Sequence, residues 1–227
     1  GVEEVWTSDD SKVIVDTVAP TLPVVTIASD NGNSSVATDG DVVTLTVVSD
    51  EGLHESAAGL TVLLAGVDVT GTLSMVGELE WESVLTVTTG TTPEGDVSIS
   101  VTYSDYAGNA GVEEVWTSDD SKVIVDTVAP TLPVVTIASD NGNSSVATDG
   151  DVVTLTVVSD EGLHESAAGL TVLLAGVDVT GTLSMVGELE WESVLTVTTG
   201  TTPEGDVSIS VTYSDYAGNA GVEEVWT

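Results

Sequence analysis

Short runs of alternating apolar and polar residues, separated by clusters of Gly, Asp, Asn and Ser, fill the chain from end to end. In residues 42–48, Val43, Leu45 and Val47 fall on one face, the period of a half-buried strand. From residue 79 onward Leu79, Trp81, Leu85 and Val87 point one way, while Glu78, Glu80 and Glu82 point the other, toward solvent. Val97, Ile99, Val101 and Tyr103 alternate in the same manner with Ser98, Ser100 and Thr102. Further strands are predicted over residues 23–28, 60–65, 67–75 (broken at Gly71) and 112–116, the last continuing through residues 122–125. Ala19-Pro20 and Leu22-Pro23 keep the chain extended ahead of the first strand and exclude a helix there. No helical period occurs, and about seven strands with turn chemistry between them predict an antiparallel β-sandwich. Trp81 is its bulkiest core residue, and no Phe is present.

The pattern occurs twice. Residues 111–227 repeat residues 1–117 without a substitution, so the period is 110 residues, the size of a whole small domain. The expected organisation is a terminal strand left over from a preceding repeat in residues 1–15, one repeat over 16–125 and a second over 126–227. A polar insertion at residues 117–121 leaves the boundary between residues 117 and 126. The chain reads as an excerpt from a longer array, so the lack of a signal peptide carries little weight.

Composition changes this picture in one respect. Thirty-eight acids stand against two lysines, with no Arg or Cys, for a net charge of −36. Such a field repels nucleic acid and anionic membranes and works against a compact chain. A hydrophobic content of 41% and acids scattered among apolar runs still argue for a folded protein. Recruited cations reconcile the two. No apolar run reaches the roughly 18 residues of a membrane span, and disulfides are excluded.

Strand parity locates the acids. With seven strands, the chain enters a sandwich at one pole and leaves at the other, so tandem repeats stack end to end as a monomeric rod whose partners are its neighbouring repeats. The pole where the chain enters gathers the linker Asp16, Asp50 and Glu51 after the second strand, and Asp105 and Asn109 after the sixth. In the second repeat these are Asp126, Asp160, Glu161, Asp215 and Asn219. The opposite pole of the first repeat carries Asp30, Asp39, Asp41, Glu94 and Asp96, with Asp119 and Asp120 nearby; Asp140, Asp149, Asp151 and Asp206 are the equivalents in the second. Two acidic poles therefore converge on one joint. Packed carboxylates are costly unless they protonate or bind a cation. Hard oxygen donors beside Gly-containing turns suit Ca²⁺, which takes six to eight oxygens. Mg²⁺ suits less well, and with only His54 and His164 and no Cys, zinc is not expected. The same acids have a plainer role as turn formers, Asp39-Gly40-Asp41 above all.

The motifs Asp-Thr-Val-Ala-Pro-Thr (residues 16–21 and 126–131), Gly-Asp-Val-Val-Thr-Leu-Thr-Val (residues 40–47) and Asp-Tyr-Ala-Gly-Asn (residues 105–109) resemble the tandem bacterial Ig-like extender repeats of giant RTX-type surface adhesins of Gram-negative bacteria. The resemblance spans both repeats. It implies immunoglobulin-like sandwiches arranged end to end, calcium at and near the linkers, export from the cell to its surface, and a spacer role in adhesion and biofilms. Asp16, Asp126, Asp105 and Asp215 are the residues it favours as ligands. The insertion at residues 117–121 departs from the pattern.

Two other functions are weighed against the spacer. An enzyme is not expected: no pair of acids stands out, no cationic group is available for a substrate, and His54 lies in a polar loop without a nucleophile motif. A carbohydrate- or protein-binding adhesion module needs an exposed aromatic such as Trp116, but packing of Trp116 under the joint is the expectation. Identity of the two copies also argues against a dedicated binding domain.

Overall fold

The computed structural model describes residues 13–54, 59–164 and 169–226. Most of the expected leftover strand, residues 1–12, lies outside them.

Each alternating run forms a strand whose apolar face is buried. The elements before residue 126 are β1 (Val24–Ser29), β2 (Val36–Ala37), β3 (Val42–Val48), β4 (Leu60–Leu64), β5 (Val67–Asp68), β6 (Ser74–Met75), β7 (Glu80–Thr86), β8 (Gly95–Asp96), β9 (Ile99–Tyr103) and β10 (Ile124–Val125). Those after it are β11 (Val134–Ser139), β12 (Val152–Val158), β13 (Leu170–Leu174), β14 (Val177–Asp178), β15 (Ser184–Met185), β16 (Glu190–Thr196), β17 (Ile209–Tyr213) and β18 (Glu224–Trp226). One four-stranded sheet runs β1-β3-β7-β6 and faces a three-stranded sheet β5-β4-β9; a third, smaller sheet is β2-β10-β8. The later residues form β11-β12-β16-β15 and β14-β13-β17-β18. All pairings are antiparallel except β10 with β2. This is an all-β architecture that fits a β-sandwich.

Two hydrophobic clusters fill it. The first joins Val25, Ile27, Val43, Leu45, Val47, Trp81 and Leu85 to Leu60, Val62, Leu64, Val101 and Tyr103, and is completed by Val123 and Val125. The second repeats the arrangement around Leu155, Val157, Trp191, Val172 and Val211. The alternation of β3, with Val43, Leu45 and Val47 buried and Thr44 and Thr46 between them half-buried, is the one its sequence dictates.

Three expectations are corrected, one being the continuous strand over residues 112–116 and 122–125: only Glu114 bridges to Val101, and Ile124–Val125 pairs in a different sheet. Residues 67–75 are not one strand: β5 pairs with β4, β6 pairs with β7 in the other sheet, and a 3₁₀ turn, Thr70–Thr72, carries the chain across. The Thr72 hydroxyl fixes the crossing by accepting from the Val84 amide (2.8 Å) and donating to the Val69 carbonyl (2.8 Å). Trp116, expected under the joint, is 79% exposed. After Glu114 bridges to Val101 the chain leaves that sheet, and Trp116 lies in the departing segment, where no element covers it.

The departure is a sheet switch. Through the insertion, the Ser118 and Ser121 hydroxyls accept from the β1 amides of Val25 (3.1 Å) and Ile27 (3.0 Å), and Asp120 takes a left-handed φ of 61°. The chain then enters the core as β10, pairing with β2 on one side and β8 on the other.

Candidate metal centre

Two clusters of three carboxylates form where the chain enters each set of sheets. Carboxylate oxygens of Asp16, Glu51 and Asp105 lie within 4.8 Å of one another, and so do those of Asp126, Glu161 and Asp215. Either triad could hold a metal ion, and the donors are all oxygen.

The third acid of each triad is set by a turn. Asp105 and Asp215 are buried, at 3% and 2% exposure, and each pairs across an isolated bridge with Leu53 or Leu163. The Asp215 carboxylate accepts from the Gly218 amide (2.7 Å), the Asn219 amide (2.9 Å) and the Asn219 side-chain amide (2.8 Å). Gly218 has a φ of +98°, which L side chains rarely adopt, so the turn requires glycine. At Asp105, burial pushes the carboxyl up, but hydrogen bonds from Asn109, Gly108 and Ala107 more than reverse this and hold it below its ordinary value.

The linker Asp is held by the same asparagine. The Asn219 side chain donates to the Asp126 carbonyl at 2.9 Å; the equivalent bond from Asn109 to Asp16 is 3.3 Å. Among the described residues, no hydrogen-bond donor of this kind lowers the middle acid. Glu161 is pushed up to about 7, by burial first and then by the charges of Asp126, Asp215 and Asp160. Glu51 is raised by the same causes, with Asp16, Asp105 and Asp50 as its neighbours. Asp126 is raised by burial and by Asp215 and Glu94. Each triad therefore contains charge that the protein itself leaves uncompensated, the condition under which a cation binds.

The remaining candidates are engaged elsewhere. Asp50 and Asp160 stand beside the triads, but each clasps the linker: Asp160 accepts from the Thr131 amide and hydroxyl, both at 2.7 Å, and Asp50 does the same with Thr21. These bonds depress both carboxyls. Asp30 and Asp140 accept from the Val42 and Val152 amides, and Asp39 and Asp149 from those of Thr89 and Thr199. Asp41 accepts from Asn31 and the Thr38 amide, and Asp151 from Asn141 and the Thr148 amide. Asp96 lies in β8, and Asp206 in a bend at the same position of the second repeat. Asp119 accepts from the Ser121 amide within the insertion turn, and neither Asp119 nor Asp120 joins a triad.

The joint also has contacts that the sequence reading lacked. The Asn31 side-chain amide, held by Asp41, donates to the Ala217 carbonyl at 3.0 Å, and the Thr38 hydroxyl donates to the Asn219 side-chain oxygen. Ala217 is consequently buried, whereas its counterpart Ala107 is exposed. Glu94 accepts from the Thr127 amide and hydroxyl just past Asp126. The neutral donors of the loop at residues 30–38 had no marker in the sequence to set them apart from ordinary turn residues.

No family model matches this chain, and no curated protein matches it. Among solved structures it is similar to dimeric latent PorU from Porphyromonas gingivalis, at 12% identity and a TM-score of 0.33 over 92% of this chain and 20% of that one. The chain thus spans about a fifth of that protein's length. The class defined by the described residues is an all-β protein with two acidic oxygen clusters that could hold metal ions.

Proposed function

We propose that this chain is a non-enzymatic spacer: two immunoglobulin-like sandwiches placed end to end, stiffened by calcium at the joint, within a bacterial surface adhesin similar to the RTX type. The observation that carries this reading is the convergence of Asp126, Glu161 and Asp215 within 4.8 Å where the linker meets the second set of sheets. An ion there would tie the linker, through Asp126, to two loops of the second repeat. Asp16, Glu51 and Asp105 would do the same one joint earlier. An oxygen-only donor set, two of whose acids are raised by burial and by neighbouring carboxylates, favours a hard divalent cation of flexible coordination, hence calcium over zinc.

Calcium should raise the melting temperature and narrow the distribution of particle lengths in small-angle scattering relative to chelator. Asp126→Ala should abolish the effect on length while leaving each repeat folded. Identical scattering and melting in calcium and in chelator would end this reading. Trp116, at 79% exposure, favours a second one, an adhesion module that stacks on sugar rings. A glycan array separates the two, since a spacer should be silent on it.

A further inference from the structure

We propose that Asn31-Gly32 is a modification site at the joint, where spontaneous deamidation of Asn31 undocks the two repeats.

Asn is a thermolabile residue, and an Asn-Gly step is the one that closes on itself most readily, because glycine puts no side chain in the way of the attacking amide. The Gly32 amide nitrogen forms a bond to Cγ of Asn31 and loses its proton, while the Cγ–Nδ2 bond breaks and the nitrogen leaves as ammonia. Water then opens the succinimide ring at either carbonyl, leaving aspartate or isoaspartate at position 31. The sequence of steps needs only water and an amide nitrogen free to lose its proton.

The loop meets both needs. Gly32 is exposed, and a Cβ placed on it would meet no atom within 4 Å. Among the described residues, no group accepts a hydrogen bond from the Gly32 amide. A cavity of about 370 Å³, lined by Asn31, Gly32, Asn33, Tyr216 and Ala217 among others, opens against the turn and admits water to it.

What restrains the reaction is the docked joint. Closure requires the Asn31 carboxamide to turn its carbon toward the Gly32 nitrogen, and three hydrogen bonds hold it in place. Its oxygen accepts from the Asn33 amide (3.0 Å), and its nitrogen donates to Asp41 (2.7 Å) and, across the joint, to the Ala217 carbonyl (3.0 Å). Asn141 has only the equivalents of the first two, from the Asn143 amide (3.1 Å) and to Asp151 (2.7 Å), and so serves as a reference for the turn without docking. Docking therefore protects Asn31, and opening of the joint exposes it.

The product does not fit the docked joint. Both acceptors of the lost nitrogen, the Asp41 carboxylate and the Ala217 carbonyl, would face a carboxylate. Three acceptors would then meet without a donor among them, two of them charged. Isoaspartate also lengthens the loop backbone by a methylene group. Water does not restore the amide, so a joint passes once from docked to undocked. None of this involves the carboxylate triads, and the test is made in chelator.

Peptide mapping of the 227-residue chain at mildly alkaline pH follows conversion at positions 31 and 141, while ¹⁵N relaxation follows the joint. Position 31 is expected to convert about tenfold more slowly than position 141, the factor that two hydrogen bonds across the joint supply. Thr38→Val removes the second of these bonds and should narrow the gap. As position 31 converts, the repeats should tumble more independently, and Asn31→Asp should do so from the outset. Gly32→Ala should slow conversion at position 31, leave position 141 at its own rate and preserve the common tumbling throughout. That substitution has room for its methyl group, so folding is not at issue. Equal rates at the two positions overturn the proposal, as does a position 31 that stays intact in Thr38→Val. So does common tumbling that persists in Asn31→Asp, or loosening that proceeds in Gly32→Ala as fast as in the parent.

Discussion

Glu161 is the residue at which the acidic cluster costs the fold most. Its carboxyl is raised to about 7 from an ordinary 4.5, so over that interval the folded chain holds a proton that the unfolded chain releases. In chelator, the contribution of Glu161 to stability should be fully present near pH 4.5, be lost as pH rises through about 7, and level off above it, while the depressed carboxyls of Asp50 and Asp160 oppose unfolding only until more acidic pH protonates them. The loss should be on the order of 1–2 kcal/mol once solvent screening is allowed for. Glu161→Gln removes the titration, so urea unfolding at pH 5 and pH 8 should differ much less in the variant; Glu51 and Asp126, which are also raised, contribute to what remains. An unchanged difference in the variant would show that Glu161 is not the responsible group. A divalent cation should reverse the trend, because it competes with the proton and binds more tightly as pH rises. The position of Glu161 was legible: strand parity brings the linker and the two loops to one pole. Which neighbouring acids are already satisfied was not legible. Asp160 and Glu161 are adjacent in sequence, yet one clasps Thr131 at 2.7 Å and the other faces the cluster, a difference set by three-dimensional donors.

At the scale of the element, β10 decides how one set of sheets is completed. Alternation alone identifies β3, β7 and β9, because each has one buried and one less buried face over five to seven residues. It does not identify the switch at residues 117–121, whose Ser and Asp residues read as a turn. There, Ser118 and Ser121 hydroxyls stand in for ladder hydrogen bonds on β1, and a local pattern does not say which sheet the chain joins next. The repeat supplies an internal control. Val123 is fully buried while Val13, in the same sequence context, is 93% exposed. Val123→Ala should therefore destabilise the first repeat by about 2 kcal/mol, from lost burial and the cavity left behind. Val13→Ala, measured in dilute chain, should change stability by less than about 0.5 kcal/mol. Chemical denaturation of the two variants checks this, and equal effects would mean that β10 is not part of the first core.

For the whole molecule, the question is what holds two repeats together against a net charge of −36. Among the described residues, the hydrogen bonds that side chains make between the repeats are donated by neutral groups: the Asn31 amide to the Ala217 carbonyl, the Thr38 hydroxyl to Asn219, and the Thr127 amide and hydroxyl to the Glu94 carboxylate of the linker contact. Asn219 in turn donates to the Asp126 carbonyl and to Asp215, so the docking loop and the carboxylate cluster share one side chain. Neutral donors neither add to the repulsion nor weaken with salt, which suits a joint between acidic partners. Removing the first two by Asn31→Ala with Thr38→Val should uncouple the repeats without unfolding either, since both residues lie in a polar loop outside the core. In chelator, ¹⁵N relaxation should then report two bodies tumbling more independently, while the unfolding free energies stay within about 1 kcal/mol of the parent. Adding calcium to the variant should restore part of the common tumbling if the cluster forms a second, separate tie. Restoration should fail in a triple variant that also carries Asp126→Ala. If the double substitution leaves the tumbling unchanged, the loop contacts are incidental, and the cohesion of the joint resides in the linker alone.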